Sequence, residues 1–284
     1  KAVKKIGCSN LKQLIENDKV IVEDFDIINE LVTLSNPDKS KSTIFIFPEG
    51  TLAGIDLEYL YNFRELFSKK FSDKHIIIIG INTVQDEKIY NSMVVLDYKL
   101  NLLNNYKKTK LVPFGEFLPL ENFLKKIGFK KVTQGYQSFS AGNNREIISI
   151  KKNNFNFIPL ICYEIIYSGN ISQASDDTNF IINISEDGWF GDSIGPHQHF
   201  SHSIFRAIEE GKNIFRSTNN GISAFIDGNG LVVKSLESTQ SGVIEVIEYK
   251  KLKRTIFSKF GNKIFFYFVI FYISLAFFFT KRGS

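Results

Sequence analysis

Residues 155–169 read FNFIPLICYEIIYSG, a run of strand-forming residues that ends abruptly in Cys162, Tyr163 and Glu164. In layered α/β proteins, reactive groups collect at the carboxyl ends of buried strands. A cysteine placed there attacks a carbonyl carbon once a base takes its proton and a positive group steadies the oxyanion. Two other stretches carry groups of those types. Glu49 follows the apolar run TIFIF of residues 43–47, and Lys107, Lys108 and Lys110 lie upstream of Glu116 in YKKTKLVPFGEF. Glu, Lys and Cys supply base, cation and nucleophile with no histidine required. Each also has a plainer reading: an inert buried thiol for Cys162, an exposed cap after a turn for Glu49, and a solvated face for the lysines. Residue type alone does not choose among the three lysines.

Other polar and aromatic residues read as support. His197, His199 and His202 imitate a metal cluster, but their spacing matches no zinc signature and no cysteine lies nearby. No metal and no cofactor is therefore expected. His199 in PHQHF reads as a helix-start residue that shapes a pocket. Arg206, Arg216 and Asn219–Asn220 read as buttresses. Trp189 and Phe190 in DGWFG are either apolar walls of a pocket or plain core packing. Cys8 and Cys162 sit in different contexts, and their spacing suggests no disulfide framework.

The elements that must position these groups alternate between strands and helices. TIFIF predicts a central strand that stops at Pro48–Glu49–Gly50, and residues 75–84 (HIIIIGINTV) and 92–99 (SMVVLDYK) predict two more. Residues 25–34 and 56–71 have helical periodicity, the second with Leu57, Leu60, Phe63, Leu66 and Phe67 on one stripe. A short helix is expected at residues 121–127. Strands follow at 146–151, 155–163 and 180–185, then a helix at 198–212, then two strand pairs within 223–248 broken at Asp227–Gly228–Asn229–Gly230 and Ser241–Gly242. Strands apolar on both faces and alternating with helices make the fold α/β.

Composition narrows the function classes. The 284 residues suffice for a large core, and 43% hydrophobic with 23% charged residues is ordinary for a globular chain. The 28 Phe against one Met and one Trp look like a bias of the source genome. A net charge of +5 on scattered lysines forms no surface suited to nucleic acid. Residues 264–280 (IFFYFVIFYISLAFFFT) carry no charge and lie between Lys263 and Lys281–Arg282. They read as a transmembrane helix with aromatic flanks. The chain starts at Lys1 with no signal-peptide pattern, so a fragment of a longer protein is expected.

FPEG around Glu49, Lys108 ahead of LVPFGE, and ICYE around Cys162 resemble the Glu–Lys–Cys triad of the nitrilase (carbon–nitrogen hydrolase) superfamily. KTKLVPFGEFLPLE, NISEDGWFG, PHQHF, RAIEEGKNIFRSTNNGISAFID and RTIFSKFGN are similar, more narrowly, to its apolipoprotein N-acyltransferase branch, from about residue 25 to the end. The resemblance picks Lys108, eight residues before Glu116. It implies a nitrilase-like α-β-β-α sandwich over residues 1–258, lacking its opening strand, then one transmembrane helix at 264–280. The upstream membrane bundle of that branch is absent from this chain, and a fragment without it is expected to be poorly active.

The implied enzyme is an acyltransferase of the bacterial inner membrane, with its catalytic domain on the outer, periplasmic face. Cys162 would take an acyl group from a phospholipid, typically phosphatidylethanolamine, as a thioester, and pass it to the α-amine of an apolipoprotein's diacylglyceryl-cysteine. Glu49 would be the general base, Lys108 the oxyanion stabiliser, and Glu116 a second carboxylate orienting Lys108 or the amine. Tyr163 and Glu164 match positions needed for activity. A membrane-tethered amidase using water as acceptor is the alternative. Positive charge over residues 250–263 exceeds that of Lys281–Arg282, which taken naively places the catalytic domain inside; large domains cross largely regardless of flanking charge.

Overall fold

A computed structural model of the chain describes residues 2–4, 19–52, 54–120, 138–169, 171, 178 and 180–282. The helix expected at 121–127, and Cys8, lie outside the described residues.

Two six-stranded sheets face each other. The first runs β12-β1-β2-β3-β4-β5, with β1 at Ala2–Lys4, β2 at Thr43–Ile46, β3 at His75–Gln85, β4 at Lys88–Asp97, β5 at Leu102–Lys107 and β12 at Gly242–Ile244. The second runs β11-β10-β9-β8-β7-β6, with β6 at Ile148–Ile150, β7 at Phe155–Ile161, β8 at Phe180–Glu186, β9 at Asn213–Asn219, β10 at Ser223–Ile226 and β11 at Val232–Leu236. The parallel pairs are β1–β2, β2–β3, β7–β8 and β8–β9. Where a missing opening strand was expected, β1 lies parallel to β2 and antiparallel to β12.

The sheets are layered because their central strands are apolar on both faces. Along β3, Ile76 and Ile78 point between the sheets, toward Ile161, Ile182 and Ile184, while Ile77 and Ile79 point outward. The outward side packs on α1 (Lys19–Ser35), α2 (Leu57–Leu60) and α3 (Arg64–Lys70) through Ile28, Leu31, Leu60 and Phe67. The far side of the second sheet packs on α4 (Gly195–Glu210) through Ile158, Ile181, Ala207 and Ile214. This is an α-β-β-α sandwich, and the alternation of period two that puts successive residues on opposite faces produces it.

Four expectations are corrected. The single helix predicted over 56–71 is α2 and α3 separated by a 3₁₀ turn at Tyr61–Phe63, three residues of middling helix propensity. Leu57, Leu60, Phe63 and Phe67 still form the buried stripe, and the Asp56 side chain caps α2 from the Tyr59 amide at 2.8 Å. The α4 helix starts at Gly195, ahead of the predicted 198, because Pro196 suits its first turn. Only one hairpin, β10–β11, forms within 223–248; β12 leaves it to pair with β1 across the sandwich. The segments 102–107 and 213–219, which carry no plain strand pattern, are β5 and β9.

After a short helix α5 (Ile256–Phe260), the chain enters α6 (Lys263–Arg282). Its 20 residues span about 30 Å, the thickness of a bilayer's hydrocarbon core. The window Lys263–Thr280 is long and apolar enough to cross a membrane, and none of it is buried against the sandwich.

Candidate active site

Glu49, Lys108 and Cys162 come together at the ends of β2, β5 and β7. The three lysines, equivalent by residue type, are separated by the alternation of β5. Lys107 points out, donates to the Gln85 side chain, and lies 4.0 Å from the Tyr90 ring centre. Lys110 is exposed. Lys108 is only 1% exposed and turns inward, with its Nζ 2.9 Å from Glu116 Oε1 and 3.5 Å from Glu49 Oε1. Burial works against a charged amine, but the neighbouring Glu49 and Glu116 carboxylates outweigh it and push the Lys108 pKa up. The side chain is a fixed ammonium.

Asn91, on β4, ties the two carboxylates together: its Nδ2 donates to Glu49 Oε1 at 2.6 Å and to Glu116 Oε1 at 2.8 Å. The second oxygen of each carboxylate accepts a backbone N–H, from Glu186 for Glu49 and from Val112 for Glu116, both at 2.8 Å. The Lys108 backbone is held on both sides, donating to the Asn91 carbonyl at 2.9 Å and accepting from the Gly142 amide at 2.8 Å.

Cys162 opens a 3₁₀ turn, Cys162–Ile166, directly after β7. Its φ of +48° lies in the left-handed region that side chains avoid. The strain is maintained by what surrounds the turn. Burial pushes the thiol pKa up, Glu49 and Asp187 push the same way, and Lys108 and a hydrogen bond with Ser185 oppose them. At neutral pH the resting sulfur is therefore a thiol, and attack requires a base to remove its proton.

Glu164 does not point at the reacting groups. It is fully buried and accepts from the amides of Ile161 (2.9 Å), Thr109 (2.9 Å) and Lys110 (3.1 Å) and from the Thr109 hydroxyl (2.8 Å). The Tyr106 hydroxyl lies 2.8 and 2.9 Å from its two oxygens, and the Arg145 guanidinium 3.4 Å away. Burial, then the Glu164 charge, pushes the Tyr106 pKa up to about 12. One carboxylate thus ties the turn that carries Cys162 to the residues following Lys108. Tyr163 packs edge-on against Tyr167 at 5.5 Å.

A second polar network lies behind the cysteine. His199, the fifth residue of α4, has Nδ1 2.8 Å from Asp187 Oδ1 and Nε2 3.2 Å from the Cys162 carbonyl. Arg216, on β9 and wholly buried, donates to Asp187 Oδ2 at 2.7 Å, to Ser203 at 3.3 Å and to the Asn183 side chain. Burial alone would raise the Asp187 pKa, but Arg216 and His199 hold it at about 2. Asn219 and Asn220 donate to Glu186 at 2.6 and 3.1 Å. Arg206 reaches the Ile166 carbonyl at 3.2 Å.

Trp189 is 68% exposed and Phe190 is 40% exposed in the 3₁₀ turn Gly188–Phe190, so plain core packing does not describe them. Sequence reasoning did not single out Asn91, Tyr106, Arg145, Glu186 or Asp187. Asn91 alone carried a local signal, a polar residue beside the apolar MVVL of its strand.

Residues 25–247 match the carbon-nitrogen hydrolase family. The chain belongs to that family. Among curated relatives, the apolipoprotein N-acyltransferase of Rickettsia prowazekii is 42% identical over 62% of this chain and 35% of its own length. That of Wigglesworthia glossinidia brevipalpis is 36% identical over 84% of this chain and 48% of its own length. The chain thus spans about a third to a half of the curated relatives it matches. A solved amidase from Nesterenkonia sp. shares the carbon-nitrogen hydrolase fold at 14% identity, with a TM-score of 0.54 over 78% of this chain and 82% of that one. A mutant of that amidase, with the acetamide moiety of fluoroacetamide added covalently at its active-site cysteine, gives 0.52 at 14% identity over 76% of this chain and 81% of that one.

Proposed function

We propose that the chain is the catalytic part of an apolipoprotein N-acyltransferase of the bacterial inner membrane, acting on its outer face. The observation that carries this reading is the buried Lys108 ammonium held between Glu49 and Glu116 beside the Cys162 thiol, in a chain that continues into a bilayer-length apolar helix. The names of the relatives support the same activity.

Glu49 takes the thiol proton as the Cys162 sulfur attacks the ester carbonyl of a phospholipid, phosphatidylethanolamine being the expected donor. Lys108 faces the negative charge that develops on the carbonyl oxygen. The intermediate collapses, Glu49 returns the proton to the departing alkoxide, and a lysophospholipid leaves with the acyl group held as a Cys162 thioester. The neutral α-amine of a diacylglyceryl-cysteine then attacks. Its proton passes to Glu49, the sulfur leaves and is reprotonated, and an amide results. Glu116 keeps Lys108 charged and in place. Glu164 and Tyr163 support the turn. Trp189 and Phe190, already at the surface, supply apolar contact to acyl chains.

The amidase reading, with water as acceptor, draws on the fold shared with the Nesterenkonia enzyme. Incubation in vesicles with phosphatidylethanolamine carrying a labelled acyl chain separates the two. A labelled thioester on Cys162 that a diacylated lipopeptide discharges is the expected result. Ammonia release from small amides without lipid labelling would favour the amidase.

A further inference from the structure

The join between the sandwich and α6 contains no spacer. Only Gly261 and Asn262 separate α5 from α6, and both touch the loop that follows the cysteine turn. Asn262 Nδ2 donates to the Ser168 carbonyl at 3.0 Å. Gly169 and Gly261 both have φ in the left-handed region, +70° and +55°. A Cβ on Gly261 would stand 2.7 Å from the Gly169 carbonyl oxygen, and one on Gly169 would stand 2.7 Å from Asn262 Oδ1 and 2.9 Å from its backbone nitrogen. The two chain segments therefore meet backbone to backbone, at a separation only glycine permits.

The same join is fastened to α4. The Thr255 hydroxyl caps α5 from the Ser258 amide at 2.9 Å and donates to the Glu209 carbonyl. Ser258 donates to Glu210 Oε2 at 2.7 Å, and the Ser168 hydroxyl donates to Glu209 Oε1 at 2.9 Å. Since His199 reaches the Cys162 carbonyl and Arg206 reaches the Ile166 carbonyl, α4 grips both ends of the cysteine turn. A continuous set of short contacts runs from α6 through residues 254–262 and α4 to the nucleophile.

We propose that Gly169, Gly261 and Asn262 are positioning residues that lock the cysteine turn at one height over the bilayer holding α6, so that acyl esters resident in the membrane are preferred. The preference rests on the acyltransferase reading above; the fixed height does not. Gly261→Ala pushes the two backbones apart, and Asn262→Ala removes the side-chain bond with no new steric demand. Wild type and both variants are placed in phosphatidylethanolamine–phosphatidylcholine vesicles. Trp189, the chain's only tryptophan, then serves as energy donor to a dansyl-headgroup lipid.

The wild type gives one narrow donor–acceptor distance, and the variants give a broadened one. An unchanged distribution in both variants overturns the lock. On substrates, kcat/KM for the vesicle phospholipid falls about tenfold, mainly in KM, while acylation by a short water-soluble ester stays within twofold. An equal fall on both substrates overturns the selectivity and reduces the join to fold maintenance. A wild type that takes no acyl group from phospholipid refutes the acyltransferase reading, and the distance measurement still decides the lock.

Discussion

Two buried ionic networks flank Cys162, and they differ in how completely their partners are used. Behind the cysteine, Asp187 is neutralised by Arg216 and bonded to His199 and Ser185, within a network closed by Asn183 and Ser203. In front, one ammonium, Lys108, serves two carboxylates whose first oxygens also share a single amide, that of Asn91. The rear network has a strong partner for its acid and holds the Cys162 carbonyl through His199. The front network shares one ammonium between two carboxylates beside a protonated thiol, and on the proposed mechanism one of them, Glu49, receives the thiol proton. Buried charge next to a reactive group is thus either scaffold or reagent, and the ratio of partners distinguishes the two.

The strongest way to break that comparison is to remove the central cation of each network. On the proposed mechanism, Lys108→Met should lower the acyl-transfer rate by about 10²–10³-fold, while lowering Tm less than the loss of Arg216 does, because Glu49 and Glu116 keep the Asn91 and backbone donors and lie nearer solvent than Asp187. Cys162→Ala should abolish thioester labelling altogether. Arg216→Met should do the reverse and act on stability first. It strands Asp187 as a buried unpaired charge, costing about 3–5 kcal/mol and lowering Tm by roughly 10 °C in a chain of this size. Paired thermal melts and labelling assays read both. A Lys108 variant that unfolds, or an Arg216 variant that melts normally, would erase the distinction.

A smaller effect is expected where the cysteine turn is tied to the residues that follow Lys108. Glu164 accepts from three backbone amides, and a Gln in its place offers one oxygen where two are in use. Glu164→Gln should reduce stability by about 1–3 kcal/mol. Its kcat should fall while KM holds, because Thr109 and Lys110 no longer fix the strand end that aims Lys108. A KM change with kcat intact would place Glu164 in substrate contact instead.

The sequence made two groups of the front network visible because Glu49 and Cys162 directly follow TIFIF and IPLI, strands apolar on both faces. Lys108 was picked out of three lysines only by the family resemblance of the PFGE stretch that follows it. The rear network was legible only in part, since His199, Arg216 and Asn219–Asn220 read as supports while the acid they serve, Asp187, did not stand out, and the reason is physical. Arg216 and Asn219 lie on β9, whose RSTN half looks solvent-facing yet is buried in the second sheet, where Asn183 and Asp187 accept from Arg216 and Glu186 accepts from Asn219. A buried strand made polar by partners on other strands has no local signature. Similarly, β5 pairs at a sheet edge with exposed Leu102 and Leu103, and its period-two pattern is not apolar-in, polar-out. Tyr163 and Glu164 stood out in the sequence beside Cys162, but only the packing showed that Glu164 faces away from the reaction.

Glu186 sharpens the comparison at its boundary, since it touches both networks. Its amide serves Glu49, while its carboxylate is held by Asn219, Asn220 and the Gly188 amide with no cation among them. Burial, more than the opposing hydrogen bonds can offset, pushes its pKa up to about 7, and the Glu49 charge adds to this. A carboxyl whose folded pKa exceeds its unfolded value of 4.5 favours the folded state most fully below pH 4.5 and loses that advantage as pH rises through about 7. The wild type should therefore lose on the order of 2–3 kcal/mol of stability from this group between pH 4.5 and pH 8. Glu186→Gln should flatten that part of the profile and raise Tm at pH 8 relative to wild type. The measurement is Tm against pH for both proteins; parallel curves would mean that Glu186 is as well neutralised as Asp187, and the line between scaffold and reagent would have to be drawn elsewhere.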